Sequence, residues 1–173
     1  MKPLERDSPI VFLRAGEMHF TARPELVVTL LGSCLSVTMF NRRTKLGGVC
    51  HSILPQCESR TQCVENCLET FRYVDCSIRM MVHLFERHSV KRNEIEVKCF
   101  GGANMFSRRA QVSGSIFIGK QNIQTAKQII HSEGLNILAM DVGGLQGRKI
   151  FFYTDTGEVY LKRLLKADSP DIL

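Results

Sequence analysis

Hydrophobic and polar positions divide this chain into many short alternating runs and two longer segments with helical spacing. Residues 25–31 are apolar and β-branched, and residues 35–40 alternate well enough to read as a strand with one buried face. The polar stretch 41–45 predicts a hairpin loop, after which residues 46–54 return as a strand that Pro55 ends. Val64, Cys67, Leu68, Phe71, Val74, Ile78, Met81, Val82 and Phe85 recur at three- and four-residue steps with charges between them. That spacing predicts the chain's strongest helix, one face against a sheet and the other in water. A shorter helix is predicted with Asn122 as N-cap, Ile123, Ala126, Ile129 and Ile130 as its stripe, and Gly134 as its stop. Further strands are expected at 94–100, 115–118, 137–142, 149–153 and 159–161, the last two joined across Asp155-Thr156-Gly157. Residues beyond Lys166 read as a frayed tail.

Strands outnumber helices and hairpins are frequent, which argues against strict βαβ alternation. The expected fold class is α/β of the α+β type, with mixed or antiparallel β-sheets packed together and two main helices on the outside. No linker, repeat or low-complexity tract divides the 173 residues, so a single domain over 1–173 is expected.

Composition narrows the setting. Hydrophobic residues make up 44% and charged residues 23%, as in ordinary folded chains rather than disordered or fibrous ones. The N-terminal residues carry acids and a proline where a signal peptide places its apolar core, and no run approaches membrane-spanning length. A cytoplasmic protein is expected. Seven cysteines cannot all pair within one chain, so a disulfide framework is the weaker reading. The formal charge of +6 favours acidic partners. Its basic residues, among them Arg42, Arg43, Lys45, Arg148, Lys162 and Arg163, are scattered without aromatic interleaving and read as a solvated surface rather than a nucleic-acid footprint.

One cysteine stands apart. Cys34 follows Gly32-Ser33 at the junction of two predicted strands, where a tight turn directs backbone N–H groups toward the sulfur. The 41–45 hairpin would bring His51 back nearly abreast of it. An imidazole beside a thiol can favour the thiolate, donate a proton to a leaving amine and activate water. By contrast, Cys57, Cys63, Cys67 and Cys76 lack the close paired spacings of zinc modules. The glycine-rich segments at 100–103 and 142–148 match neither a P-loop nor a Rossmann fingerprint, so tight turns or close backbone packing near a site are their expected uses.

Taken in order, Leu31-Gly32-Ser33-Cys34, Gly47-Gly48-Val49-Cys50-His51-Ser52-Ile53-Leu54-Pro55, Phe100-Gly101-Gly102-Ala103-Asn104-Met105 and Ile118-Gly119-Lys120-Gln121-Asn122 resemble the CheD family of chemoreceptor glutamine deamidases. Asp141-Val142-Gly143-Gly144, Gly147-Arg148 and Thr154-Asp155-Thr156-Gly157-Glu158-Val159 extend the resemblance over roughly residues 15–163. It implies a protein-glutamine glutaminase with Cys34 as nucleophile, His51 as its partner, and no metal or organic cofactor. The family's third residue is a threonine commonly six places before the cysteine, where this chain has Val28, with Thr29 five before. Thr29 reached through a strand irregularity, Ser33, Ser52 or a backbone carbonyl are the candidates for orienting the imidazole. The implied substrate is a set of glutamines on the cytoplasmic helical region of methyl-accepting chemotaxis receptors, and a CheC-type phosphatase adaptor is a further implied partner. A receptor methylesterase-type thiol hydrolase and a non-catalytic binding module of the same fold are the alternatives.

Overall fold

A computed structural model describes residues 8–57, 70–104 and 118–164. Among the described residues, nine strands form two sheets: β1 (Ile10–Phe12), β2 (Met18–Thr21), β3 (Leu26–Leu31), β4 (Leu35–Asn41), β5 (Leu46–Ser52), β6 (Glu96–Gly101), β7 (Ile137–Val142), β8 (Arg148–Tyr153) and β9 (Val159–Arg163). One sheet has the order β1-β3-β8-β9 and the other β2-β5-β4-β6-β7. The pairs β1–β3 and β6–β7 are parallel and the others antiparallel. This is the expected α+β architecture of mixed sheets with two helices.

Side-chain alternation decides what each sheet face meets. Val27 and Phe152 of the four-stranded sheet pack on Val49 of the five-stranded one, while Leu31 and Ile150 pack on Phe100. The opposite face of the five-stranded sheet presents Leu35, Val37 and Met39 to the helices α1 (Val74–Arg87) and α2 (Ile118–Ser132). Ile78, Met81, Phe85 and Ile130 complete that core, each under 2% exposed. Three layers result: sheet, sheet and helices.

The 41–45 hairpin forms as predicted, with Asn41 opposite Leu46 and the Asn41 Oδ1 accepting hydrogen bonds from the Thr44 N–H and hydroxyl. The first helix departs from its sequence pattern. Tyr73 is extended, and around it the Arg72 carbonyl accepts from the Ile53 and Leu54 N–H groups while the Val74 N–H donates to the Leu54 carbonyl. Those bonds stop any continuous helix across 64–85, leaving Phe71 in a 3-10 turn, Thr70–Arg72. Val64, Cys67 and Leu68 lie outside the described residues. The second helix begins at Ile118, so Ile118 is helical rather than the end of a strand, and residues 115–117 lie outside the described part. Asn122 is consequently an interior, fully buried helix residue and not an N-cap. Gly134 does end this helix, at φ 70°. Strands β1 and β2 were not predicted, because three and four residues are too short to show a period. No helix among the described residues is long and apolar enough to cross a membrane.

Candidate active site

Residues 32–34 carry the chain from the end of β3 in one sheet to the start of β4 in the other. Cys34 is therefore placed at the mouth of the space between sheets, half-buried against the Leu31, Phe100 and Ile150 cluster. The inward residues of β3 are Val27, Thr29 and Leu31, and on β5 Val49 and His51 face back toward them. Thr29 and His51 are 4% and 5% exposed, so their polar atoms must find partners inside the protein.

They find each other. The Thr29 Oγ1 lies 2.7 Å from His51 Nδ1 and 2.8 Å from the Leu13 carbonyl oxygen. A hydroxyl has one proton, and a carbonyl can only accept. Thr29 therefore donates to Leu13, and its lone pair accepts from a protonated Nδ1. In a neutral ring this leaves Nε2 with the free lone pair, the form required of a general base. The histidine's backbone is held as well: its N–H donates to the Glu17 carbonyl at 2.9 Å, and its carbonyl accepts from the Gly16 N–H at 2.7 Å.

The displaced threonine needs no strand irregularity. Pairing of β3 with β8 is continuous from Leu26 to Leu31, and ordinary alternation turns Thr29 inward. Val28, at the six-residue spacing, turns outward to pack with Leu26 and Tyr153. The Ser52 hydroxyl is engaged elsewhere, pairing with that of Ser77 at 2.8 Å. The hairpin register places His51 opposite Ser36, two residues into β4 from Cys34, so the pair is offset diagonally rather than abreast.

Burial governs the protonation of both groups. It lowers His51 to about 4, against smaller upward effects of the Leu13 carbonyl and the Glu17 charge. It raises the Cys34 thiol above its ordinary value, only partly opposed by the cysteine's own backbone N–H pointing at the sulfur. Both effects of burial run against an imidazolium favouring a resting thiolate and toward a thiol beside a neutral imidazole.

The turn bearing Cys34 is clamped through its carbonyls. Gly32 O accepts from the Ala103 N–H at 2.8 Å, Cys34 O from the Gly102 N–H at 2.7 Å, and Ser33 O from Asn122 Nδ2 at 3.1 Å. Among the described residues, no backbone carbonyl takes the N–H of Ser33 or Cys34. The Ser33 N–H is thus left for an oxyanion, while that of Cys34 points at its own sulfur. The close approach explains one glycine: Gly101 has φ 108°, and a Cβ there would lie 2.3 Å from the Cys34 carbonyl oxygen. The glycine-rich segment at 100–103 thus serves close backbone packing beside the site, as its sequence suggested.

Behind this bracket lies Arg148, 1% exposed, in contrast to the solvated surface that the scatter of basic residues predicts for it. Its guanidinium pairs with Asp141 at 2.6 Å and donates to the Gly143 and Gly101 carbonyls at 2.6 and 3.3 Å. Asp141 also takes Arg163 at 2.7 Å. The apolar run flanking Arg148 was the available signal, since an arginine opening a buried strand is seldom free. Among the described residues no group of three or more metal-ligating side chains converges, with Cys63 and Cys67 outside that part.

Residues 53–163 match a family model described as CheD chemotactic sensory transduction. A probable chemoreceptor glutamine deamidase CheD 2 of Geobacter sulfurreducens is 42% identical over 161 residues, 93% of this chain and 94% of that protein. Probable chemoreceptor glutamine deamidases CheD of Maridesulfovibrio salexigens and Oleidesulfovibrio alaskensis are 38% and 40% identical over 90% and 92% of this chain, and 92% and 74% of their own lengths. The family-model match begins just after His51, but an alignment spanning 93% of 173 residues necessarily covers the segment carrying Thr29, Cys34 and His51. On this similarity along nearly its whole length, the chain belongs to the CheD family.

Proposed function

We propose that this protein is a chemoreceptor glutamine deamidase in which Cys34 is the nucleophile, His51 the general base and acid, and Thr29 the residue that fixes the imidazole. The observation that carries the residue assignment is the Thr29 hydroxyl, whose proton is committed to Leu13 and whose lone pair holds His51 Nδ1–H. In the first half-reaction Nε2 takes the thiol proton as sulfur attacks the glutamine side-chain carbonyl carbon. The tetrahedral oxyanion faces the N–H groups of the 32–34 turn, and the proton on Nε2 passes to the departing nitrogen, releasing ammonia and leaving a Cys34 thioester. Water, deprotonated by Nε2, then attacks the thioester, yielding the glutamate and the thiol. A neutral resting pair suits this sequence, because the base is already unprotonated at neutral pH.

The substrate in this reading is a set of glutamines on the cytoplasmic helical region of methyl-accepting chemotaxis receptors, with the protein itself in the cytoplasm. The net charge of +6 aids encounter with a carboxylate-rich surface. A CheC-type adaptor is a second partner of the same proposal. Incubating a receptor cytoplasmic fragment with wild type and Cys34→Ala, followed by peptide mass spectrometry, tests the reading. Glutamate should appear at particular glutamines with wild type only. Unchanged glutamines alongside hydrolysis of methyl esters would replace it with an esterase.

A further inference from the structure

The interior of α2 contains a polar residue that packing does not explain. Asn122 is fully buried, and its carboxamide donates both of its N–H bonds: to the Ser33 carbonyl at 3.1 Å and to the Ile53 carbonyl at 3.0 Å. Because both partners are carbonyl oxygens, the orientation of the amide is fixed. Its Oδ1 is left buried without a partner. An unpaired buried acceptor destabilises a fold, so an aliphatic residue would serve mere packing better.

The two carbonyls are not arbitrary. Ser33 immediately precedes Cys34, and Ile53 follows His51 by two residues. The ladder joining β4 to β5 ends at the Leu35 and Ser52 pair. Beyond it the strands part, and the Ile53 and Leu54 N–H groups turn away to the Arg72 carbonyl. His51 lies just inside the ladder, opposite Ser36, but beyond its last pair no backbone bond among the described residues joins Ser33 or Cys34 to Ile53 or Leu54. The Asn122 carboxamide crosses there instead, tying the Ser33 carbonyl to the Ile53 carbonyl through one side chain.

We infer that Asn122 is a positioning residue that sets the spacing and orientation of Cys34 relative to His51 by spanning Ser33 and Ile53. This rests on the reading of Cys34 and His51 as the reacting pair. Asn122→Leu removes the rung with little change in volume. Asn122→Ser, too short to reach either carbonyl but able to satisfy its hydroxyl within the helix, serves if the leucine variant does not fold. Ile130→Val, a core truncation about two turns further along the same helix, is the control for general destabilisation.

Each protein is assayed for kcat and KM on a receptor fragment, and for the pH profile of Cys34 alkylation by iodoacetamide, read at Cys34 by peptide mapping. Asn122 variants should lose roughly tenfold or more in kcat with KM nearly unchanged, because misplaced reacting groups act on the chemical step. Their Cys34 alkylation profile should shift from that of wild type, and the profile of Ile130→Val should not. Asn122 variants with wild-type kcat and a wild-type profile overturn the inference, as does an equal shift in Ile130→Val. Deamidation surviving in Cys34→Ala would instead overturn the underlying assignment of the nucleophile, so the two failures are told apart.

Discussion

Removing the Thr29 hydroxyl while keeping its shape tests whether the imidazole is held for chemistry or merely packed. Thr29→Val deletes one oxygen that serves two buried partners, His51 Nδ1 at 2.7 Å and the Leu13 carbonyl at 2.8 Å. Leu13 is 7% exposed, so water does not readily replace the lost donor. Each orphaned group costs about 1–3 kcal/mol, so the two together put roughly 2–6 kcal/mol of stability at stake. The imidazole can escape part of that cost by moving its proton from Nδ1 to Nε2. That escape occupies the nitrogen which must receive the thiol proton. If restoring the productive tautomer costs about 1.5–3 kcal/mol, kcat/KM on a receptor fragment falls roughly 10- to 100-fold. Thr29→Ser, which keeps the hydroxyl, should retain most of the activity. Urea denaturation and steady-state ammonia release on the three proteins separate the two effects. A Thr29→Val enzyme that is destabilised yet as active as wild type refutes the orienting role, and so does a serine variant as slow as the valine one.

Protonation of His51 should couple stability to acid. Its folded value of about 4 lies below the ordinary value of 6.5, so the unfolded chain binds the extra proton between those limits. Stability is then fully present above about 6.5 and declines toward about 4, by roughly 3 kcal/mol in all; urea titrations at pH 7 and pH 5 should show the loss, and His51→Gln should flatten it. Gly101→Ala places a Cβ 2.3 Å from the Cys34 carbonyl oxygen at φ 108°, and should cost about 1–3 kcal/mol or more in thermal melts together with most deamidation. Arg148→Met leaves Asp141 without its buried partner and frees the Gly101 and Gly143 carbonyls, so about 3–5 kcal/mol should be lost in urea, more than for Arg163→Met at the exposed rim.

The strands that build the site were legible because each combines apolar alternation with a turn signal, as β4 and β5 do around Asn41 and Thr44. Cys34 and His51 were legible from the Gly-Ser turn and the hairpin that returns toward it. Thr29 was legible only as a candidate, because spacing alone does not reveal that Val28 faces outward and Thr29 inward; sheet pairing decides that. Asn122 looked like a helix cap because asparagine before an apolar stripe usually is one. Its contacts with Ser33 and Ile53 cross 89 and 69 residues of sequence, a distance no local pattern carries. Arg148 was missed for the same reason, its partners being carbonyls and a carboxylate brought together by the fold. The protonation of the two groups was illegible for a different reason: burial, which lowers His51 and raises Cys34, is a property of the folded state.

In the proposed mechanism Cys34 carries the glutamine acyl group between two half-reactions. Acid-quenched intact-mass spectrometry of wild type mixed with a glutamine-containing receptor fragment, followed by peptide mapping, addresses it directly. A fragment joined through a thioester at Cys34 should form as ammonia is released, be absent in Cys34→Ala and be reduced in His51→Ala. Ammonia release at the wild-type rate in Cys34→Ala, with no adduct on the wild-type enzyme, would contradict it.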